Sequence, residues 1–365
     1  MNVCLDETTM TTPTLAYLPA TNRHVATRVD LVLIGARGQV GSAFRRRLAL
    51  QQETLKRDLD LDLVLMAGLD RRGFAFDLHG LAPDRIESHL QAREHADLDH
   101  LLAHLARPDS TPALLIDCSA SEEITDLYPR LLAGGVGIVA ANKRANARPL
   151  AFYRELQRLS QWHDAPYRYE TTAGAAIPLL GPLRDLRQRG ERVISIRGVL
   201  SGSLSYILAR VQDDDLAFST AVVEASALGY TEPDPSEDLC LRDVTRKLLG
   251  LAREAGIALE VGAIDVEPLQ DDGLWPERIA AARSRGERWL VLAEADEHGG
   301  RIGLRSMPKD SPFAALRPGQ NLVQVSTDLQ REVPLSLGGP GAGPEITAAG
   351  VFSDVLAAAR QLARR

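Results

Sequence analysis

The most orderly pattern in the chain is an apolar run, a glycine turn and then a change of period. Val29-Asp30-Leu31-Val32-Leu33-Ile34 reads as a buried strand, Gly35 to Gly41 as a tight turn, and Ser42 to Leu48 spaces its apolar residues as a helix does. A second apolar run, Leu61 to Leu69, stops at Asp70-Arg71-Arg72. Two more, Ala113 to Ile116 and Val136 to Ala141, follow between polar stretches of helical period. Parallel strands need a crossover, and the crossover helix covers the sheet, so strands alternating with helices predict a doubly wound parallel sheet. The fold class expected is α/β, a Rossmann-type sheet followed by a second, α+β domain.

Beyond Asn142-Lys143 the texture becomes mixed. A helix is expected over about 151–161, a strand at Tyr167 to Glu170, helices over 203–211 and 219–228, and a helix through Lys247 to Glu254 that stops at Gly256. Runs at Trp289 to Ala293, Arg301 to Leu304 and Leu322 to Val325 predict a mainly antiparallel sheet, and a glycine loop at Gly338 to Gly343 feeds an alanine-rich helix. The divisions expected are a tail over 1–28, a nucleotide-binding domain over 29–150, a second domain over 151–340 and a returning loop and helix over 341–365.

Composition narrows the function. At 365 residues two domains are expected, and 42 Lys+Arg against 49 Asp+Glu leave a net charge of −7, with no basic excess for a phosphate backbone. Nucleic acid is not an expected partner. No stretch reaches the ~18 uninterrupted apolar residues of a membrane span. Asp6 and Glu7 precede any Lys or Arg, unlike a secretory or transit signal, so a cytoplasmic location is expected. Cys4, Cys118 and Cys240 are odd in number and far apart, which favours free thiols over disulfides or a zinc site.

The candidate chemistry begins at the glycine turn. Gly35, Gly38 and Gly41, with Arg37, Gln39 and Val40 between them, lie after a strand and before a helix, where backbone amides can approach a pyrophosphate. The alternative is a turn tight for packing reasons alone. Asp70 is placed to bind a ribose 2′-hydroxyl, as in NAD, while Arg71, Arg72 and Arg37 suit the 2′-phosphate of NADP; both cofactors stay open, with the arginines favouring NADP.

Asp243 and Lys247 are four apart on a helix and share a face, and Glu232 sits in the proline-rich loop before them. Such a set can hold an ammonium while the lysine moves a proton at an oxygen, a role that asks for burial. Taken alone, an Asp-Lys pair at this spacing is ordinarily a solvated helix pair. Lys143 ends an apolar strand, where open sheets place ligands. Cys118 reads as a structural thiol rather than a nucleophile, and His95, His100 and His104 as a solvated face rather than a zinc site.

Six ordered blocks carry a resemblance that runs from about Val29 to Leu362. They are 141–146 (ANKRAN), 169–178 (YETTAGAAIP), 198–207 (GVLSGSLSYI), 228–235 (LGYTEPDP), Asp243 to Lys247, and 341–343 (GAG) with 347–350 (TAAG). In these the chain resembles homoserine dehydrogenases, most of all the dehydrogenase half of the bifunctional aspartokinase–homoserine dehydrogenases. The resemblance implies NAD(P)-dependent interconversion of L-aspartate 4-semialdehyde and L-homoserine, in threonine and methionine biosynthesis, by a homodimer built on the second domain. It implies that Lys247 is the acid/base, that Glu232, Asp238 and Asp243 bind substrate, and that Lys143 bridges cofactor and substrate. It also implies that Ser119, Ala120, Gly341 and Gly343 lie along the cofactor, and that Glu170, Ala173, Ala175 and Ile177 form a loop for a monovalent cation, Na or K.

Two departures stand out. The glycine turn has Arg37 and one extra residue, and Leu241 occupies a position usually glycine, where a branched side chain would crowd the loop. They motivate the alternative of a catalytically impaired homologue that binds nucleotide or a partner enzyme. With no segment for a regulatory domain after the final helix, direct inhibition by threonine through such a domain is not expected.

Overall fold

The computed structural model describes residues 26–92, 101, 104–105, 111–231 and 234–365. The first sheet has the order β4-β3-β2-β1-β5-β6-β7. Its strands are β1 (Thr27–Ile34), β2 (Leu61–Leu69), β3 (Gly73–Phe76), β4 (Gln91–Ala92), β5 (Ala113–Asp117), β6 (Gly137–Ala140) and β7 (Tyr167–Arg168). From β2 through β7 the pairings are parallel, while β3 runs antiparallel to β2 and β4 to β3.

β1 reads as a continuous apolar run because both of its faces are covered. Val32 and Ile34 join the core with Tyr128 and Leu131, and Val29, Leu31 and Leu33 join the opposite core with Phe44 and Val355. The helix Gln39–Leu59 supplies Ala43, Phe44 and Leu48 to that second core. The last helix, Pro344–Leu362, returns to it with Ala348, Val351, Phe352 and Val355, at helical spacing. Phe44 and Phe352 meet there with ring centroids 6.2 Å apart.

The second sheet has the order β13-β12-β8-β10-β11-β9 and is antiparallel except where β9 joins β11. It comprises β8 (Val193–Val199), β9 (Ile264–Val266), β10 (Glu287–Asp296), β11 (Gly299–Pro308), β12 (Gln320–Thr327) and β13 (Leu335–Pro340). The helices Gly202–Asp213 and Arg242–Glu254 pack on it, and the latter also touches the turn Arg144–Ala147, so it lies where the two sheets meet.

Two local expectations change. The strand at Tyr167 ends at Arg168, because Glu170 turns away to meet the helix Leu180–Gln188. Gly338 and Gly339 belong to β13 rather than to a loop; pairing with Leu322 and Asn321 keeps them extended. As the spacing predicts, one helix carries both Asp243 and Lys247; it starts at Arg242, with Asp243 in its first turn. Among the described residues no helix is long and apolar enough to cross a membrane.

Candidate functional site

Parallel pairing puts the carboxyl ends of β1, β2, β5 and β6 on one edge, and the residues expected at the nucleotide from Gly35 to Lys143 follow those ends, while Gly341 and Gly343 follow β13 of the second sheet. Gly35 turns with φ 79°, and a Cβ on it would lie 2.8 Å from the Cys118 carbonyl oxygen. A Cβ on Gly41 would lie 2.1 Å from the Gly35 oxygen, so only glycine allows the helix to start this close to the strand. The amide of Gly38 donates to the Gly35 oxygen at 2.9 Å, and no side chain caps the helix. Its first turn, Gln39 to Gly41, therefore offers main-chain donors and a positive dipole end. The longer glycine spacing still builds a cradle that fits a pyrophosphate.

Asp70, at the end of β2, is committed. Arg37 pairs with both of its oxygens, and Oδ1 also accepts from the amides of Arg72 (2.8 Å) and Gly73 (2.9 Å). The hydrogen bond from Arg37 outweighs desolvation and holds the Asp70 carboxyl below the usual carboxylate range. Arg37, Arg71 and Arg72 are all exposed around it, a cationic rim suited to a phosphate.

At the end of β5 the structure adds a residue that sequence reasoning passed over. Asp117 is fully buried; Oδ1 accepts from the Ser119 amide (2.8 Å) and hydroxyl (2.6 Å), and Oδ2 from Tyr128 Oη (2.7 Å) and Asn142 Nδ2 (2.9 Å). It thereby fixes the turn carrying Ser119 and exposed Ala120, and it anchors Asn142 beside Lys143. The available signal was its place, an acid closing the apolar run Ala113 to Ile116. Burial and the Asp117 charge push the Cys118 thiol up, the reverse of an activated nucleophile.

Lys143 Nζ lies 3.1 Å from Asp243 Oδ1, and Lys247 Nζ lies 2.9 Å from Asp243 Oδ2. One carboxylate thus bridges a lysine just beyond β6 and a lysine on its own helix. Lys247 is 7% exposed and also donates to the Leu200 carbonyl oxygen at 2.8 Å. Burial raises the Asp243 carboxyl, but the two ammonium groups outweigh it and hold the group below the usual range. Asp238 goes the other way: burial lifts it and Asp243 adds to the lift, against the Ser203 hydroxyl donating at 2.7 Å and both lysines. Ser203 in turn meets Ser201 Oγ at 2.9 Å, and Ser201 caps the helix Gly202–Asp213. Lys143, Asp238, Asp243 and Lys247 therefore converge; Glu232 lies outside the described residues.

Leu241 precedes this helix at φ 58° with its side chain fully buried in the core. A left-handed turn costs a branched residue about 1–2 kcal/mol, offset here by burial of the isobutyl group. The loop is accommodated rather than blocked, since Asp243 still reaches both lysines.

Glu170 sits at the N-terminus of the helix Leu180–Gln188. Its Oε1 accepts from the amides of Leu179 (2.6 Å) and Leu180 (2.5 Å), and Oε2 from Gly181 (2.8 Å). Ala173 and Ile177 close the short turns that follow, and Ala175 between them has φ 55°. Gly341 bonds through its amide to the Gly319 oxygen at 3.0 Å, and Gly343, with φ 135°, opens the last helix. His104 packs edge-on against Phe76, while His95 and His100 lie outside the described residues. Among the described residues no cluster of three His, Cys, Asp or Glu could hold a metal.

Comparison with known proteins gives the family. The family described as homoserine dehydrogenase matches residues 178–356, and the one described as homoserine dehydrogenase, NAD binding domain, matches residues 37–170. The bifunctional aspartokinase/homoserine dehydrogenase 1 of Zea mays is 33% identical over 342 residues; the match covers 87% of this chain but 37% of the maize protein. The homoserine dehydrogenase of Saccharomyces cerevisiae is 31% identical over 365 residues, covering 92% of this chain and 99% of the yeast protein. A hyperthermophilic archaeal homoserine dehydrogenase in complex with NADPH has a similar fold, with a TM-score of 0.73 at 24% identity over 91% of this chain and 98% of that one. The chain belongs to the homoserine dehydrogenase family of NAD(P)-dependent oxidoreductases.

Proposed function

We propose that the chain is itself a homoserine dehydrogenase, reducing L-aspartate 4-semialdehyde to L-homoserine for threonine and methionine biosynthesis. The observation that carries this reading is the Asp243 carboxylate held between Lys143 and Lys247, at the edge where the nucleotide cradle meets the second sheet. The nicotinamide of a bound cofactor supplies the hydride. Lys247, fixed by Asp243 and the Leu200 carbonyl, donates the proton to the carbonyl oxygen as the alcohol forms. Asp238 and Asp243, with Glu232 from the loop before them, bind the substrate ammonium. Lys143 spans the gap from the cofactor side, and positioning by these groups accounts for the orientation the reaction needs.

In this reading the pyrophosphate lies on Gly35 to Gly41, including the amides of Gln39 and Val40, with Ser119, Ala120, Gly341 and Gly343 along the nicotinamide half. NADP is preferred over NAD, supported by exposed Arg71 and Arg72 and by the pairing that already occupies Asp70. The archaeal relative bound to NADPH is consistent with that choice. A monovalent cation, where used, sits on the loop of Glu170, Ala173, Ala175 and Ile177. The enzyme works as a homodimer in the cytoplasm. Support for the dimer is β12, where half-buried Gln324 and Ser326 alternate with buried Val323 and Val325. Support for the compartment is the free thiols of Cys118 and Cys240.

The test is Lys247→Ala. Turnover of homoserine should fall by roughly 10²- to 10⁴-fold, the usual contribution of a general acid or base, with nucleotide affinity kept. A collapse of nucleotide binding instead would make the lysine structural.

A further inference from the structure

Asn321 is the buried polar residue that the mechanism leaves unexplained. It is fully buried on the inner side of β12, beside apolar Val323 and Val325, and neither its Nδ2 nor its Oδ1 has a hydrogen-bond partner. Among the described residues no other buried carboxamide has both ends unpaired. Such a group is costly to keep out of water, and an apolar side chain of similar shape would avoid the penalty.

Its cover is a glycine. A Cβ on Gly341 would fall 2.3 Å from Asn321 Cγ and Oδ1 and 2.5 Å from Nδ2, so the Gly341 main chain lies directly on the carboxamide. The segment Gly341 to Gly343 connects two parts of the site. At one end the Gly341 amide bonds to Gly319, and Gly319 packs against Gly202, next to Ser201 and Leu200, whose carbonyl holds Lys247. At the other end Gly343 opens the last helix, where Glu345 pairs with Arg46 of the helix that starts at the nucleotide cradle (2.5 Å). An unpaired amide therefore lies under a glycine segment that spans from the catalytic lysine to the cofactor helix.

We propose that Asn321 is a positioning residue for the dinucleotide-bound state: on binding, the Gly341 to Gly343 main chain shifts and takes the Asn321 carboxamide as donor and acceptor. The inference rests on the dinucleotide-binding reading above. Pairing made only in the bound state favours that state, which is the differential interaction a ligand-driven shift requires.

The test uses Asn321→Leu, which keeps the branched shape without polar atoms, and Asn321→Ala, which deletes the amide with different packing. Melting temperature without ligand is measured, together with calorimetric affinity for NADP+ and for adenosine 2′,5′-bisphosphate, which lacks the nicotinamide half. Asn321→Leu should melt at or above the wild-type temperature, bind NADP+ roughly tenfold more weakly and bind the bisphosphate as wild type does. Asn321→Ala should repeat the split between the two ligands and serves alone if the leucine variant does not fold. Unchanged NADP+ affinity, or equal weakening of both ligands, would overturn the inference. A wild-type chain that binds neither ligand would remove the dinucleotide reading itself.

Discussion

Asp243 is the residue on which the site turns, because it is charged, half-buried and shared by two cations. Removing either lysine leaves it one partner, whereas removing the carboxylate leaves two ammonium groups facing each other. The spacing of Asp243 and Lys247 was legible in the sequence; its meaning was not, since helix pairs of this kind are ordinarily solvated. Asp117 shows the converse limit. A single acid after an apolar strand does not reveal that four donors converge on it. Two predictions belong at this scale. Cys118→Ser should keep most activity, because a thiol pushed up by burial is no nucleophile; an inactive, folded variant would point to acyl chemistry instead. Arg71→Ala or Arg72→Ala should raise KM for NADP more than for NAD, and equal effects on both would reject a role at the 2′-phosphate.

Among the elements, those buried on two faces were the easiest to read. β1, β2, β5 and β6 are mostly apolar because both sides are covered, and their ends carry the proposed cofactor cradle. β3 and β4 escaped notice since four- and two-residue strands carry too little pattern to register. The last helix shows how context also alters titration. Burial lifts the Asp354 carboxyl to about 6, against the Glu170 amide that donates to it at 2.9 Å. Unfolded, the group ionises near ~3.9. Below about 4 both states hold the proton, and above 6 the folded state alone bears a buried charge, so stability is lost as pH rises between these values. Asp354→Asn should therefore stabilise the protein by on the order of 2–3 kcal/mol at pH 8 and by little at pH 4. Denaturant titrations showing the same difference at both pH values would contradict this.

For the molecule as a whole, the division into two sheets places the proposed site at their junction, where the helix Arg242–Glu254 presents Asp243 and Lys247 to Lys143. The class of each half was legible from strand and helix periodicity. How the last helix returns to the first sheet is set by the pairing of Phe352 and Val355 with Phe44 and its neighbours, a long-range contact that local pattern does not encode. Light scattering at micromolar concentration should give the mass of a dimer, and a monomeric mass would count against the proposed assembly. The most direct test of the central claim is absorbance of reduced nicotinamide while the purified protein oxidises L-homoserine, with NADP and with NAD. Reduction of NADP that disappears in Lys247→Ala is the result expected; no reduction of either cofactor by folded protein that binds nucleotide would contradict it.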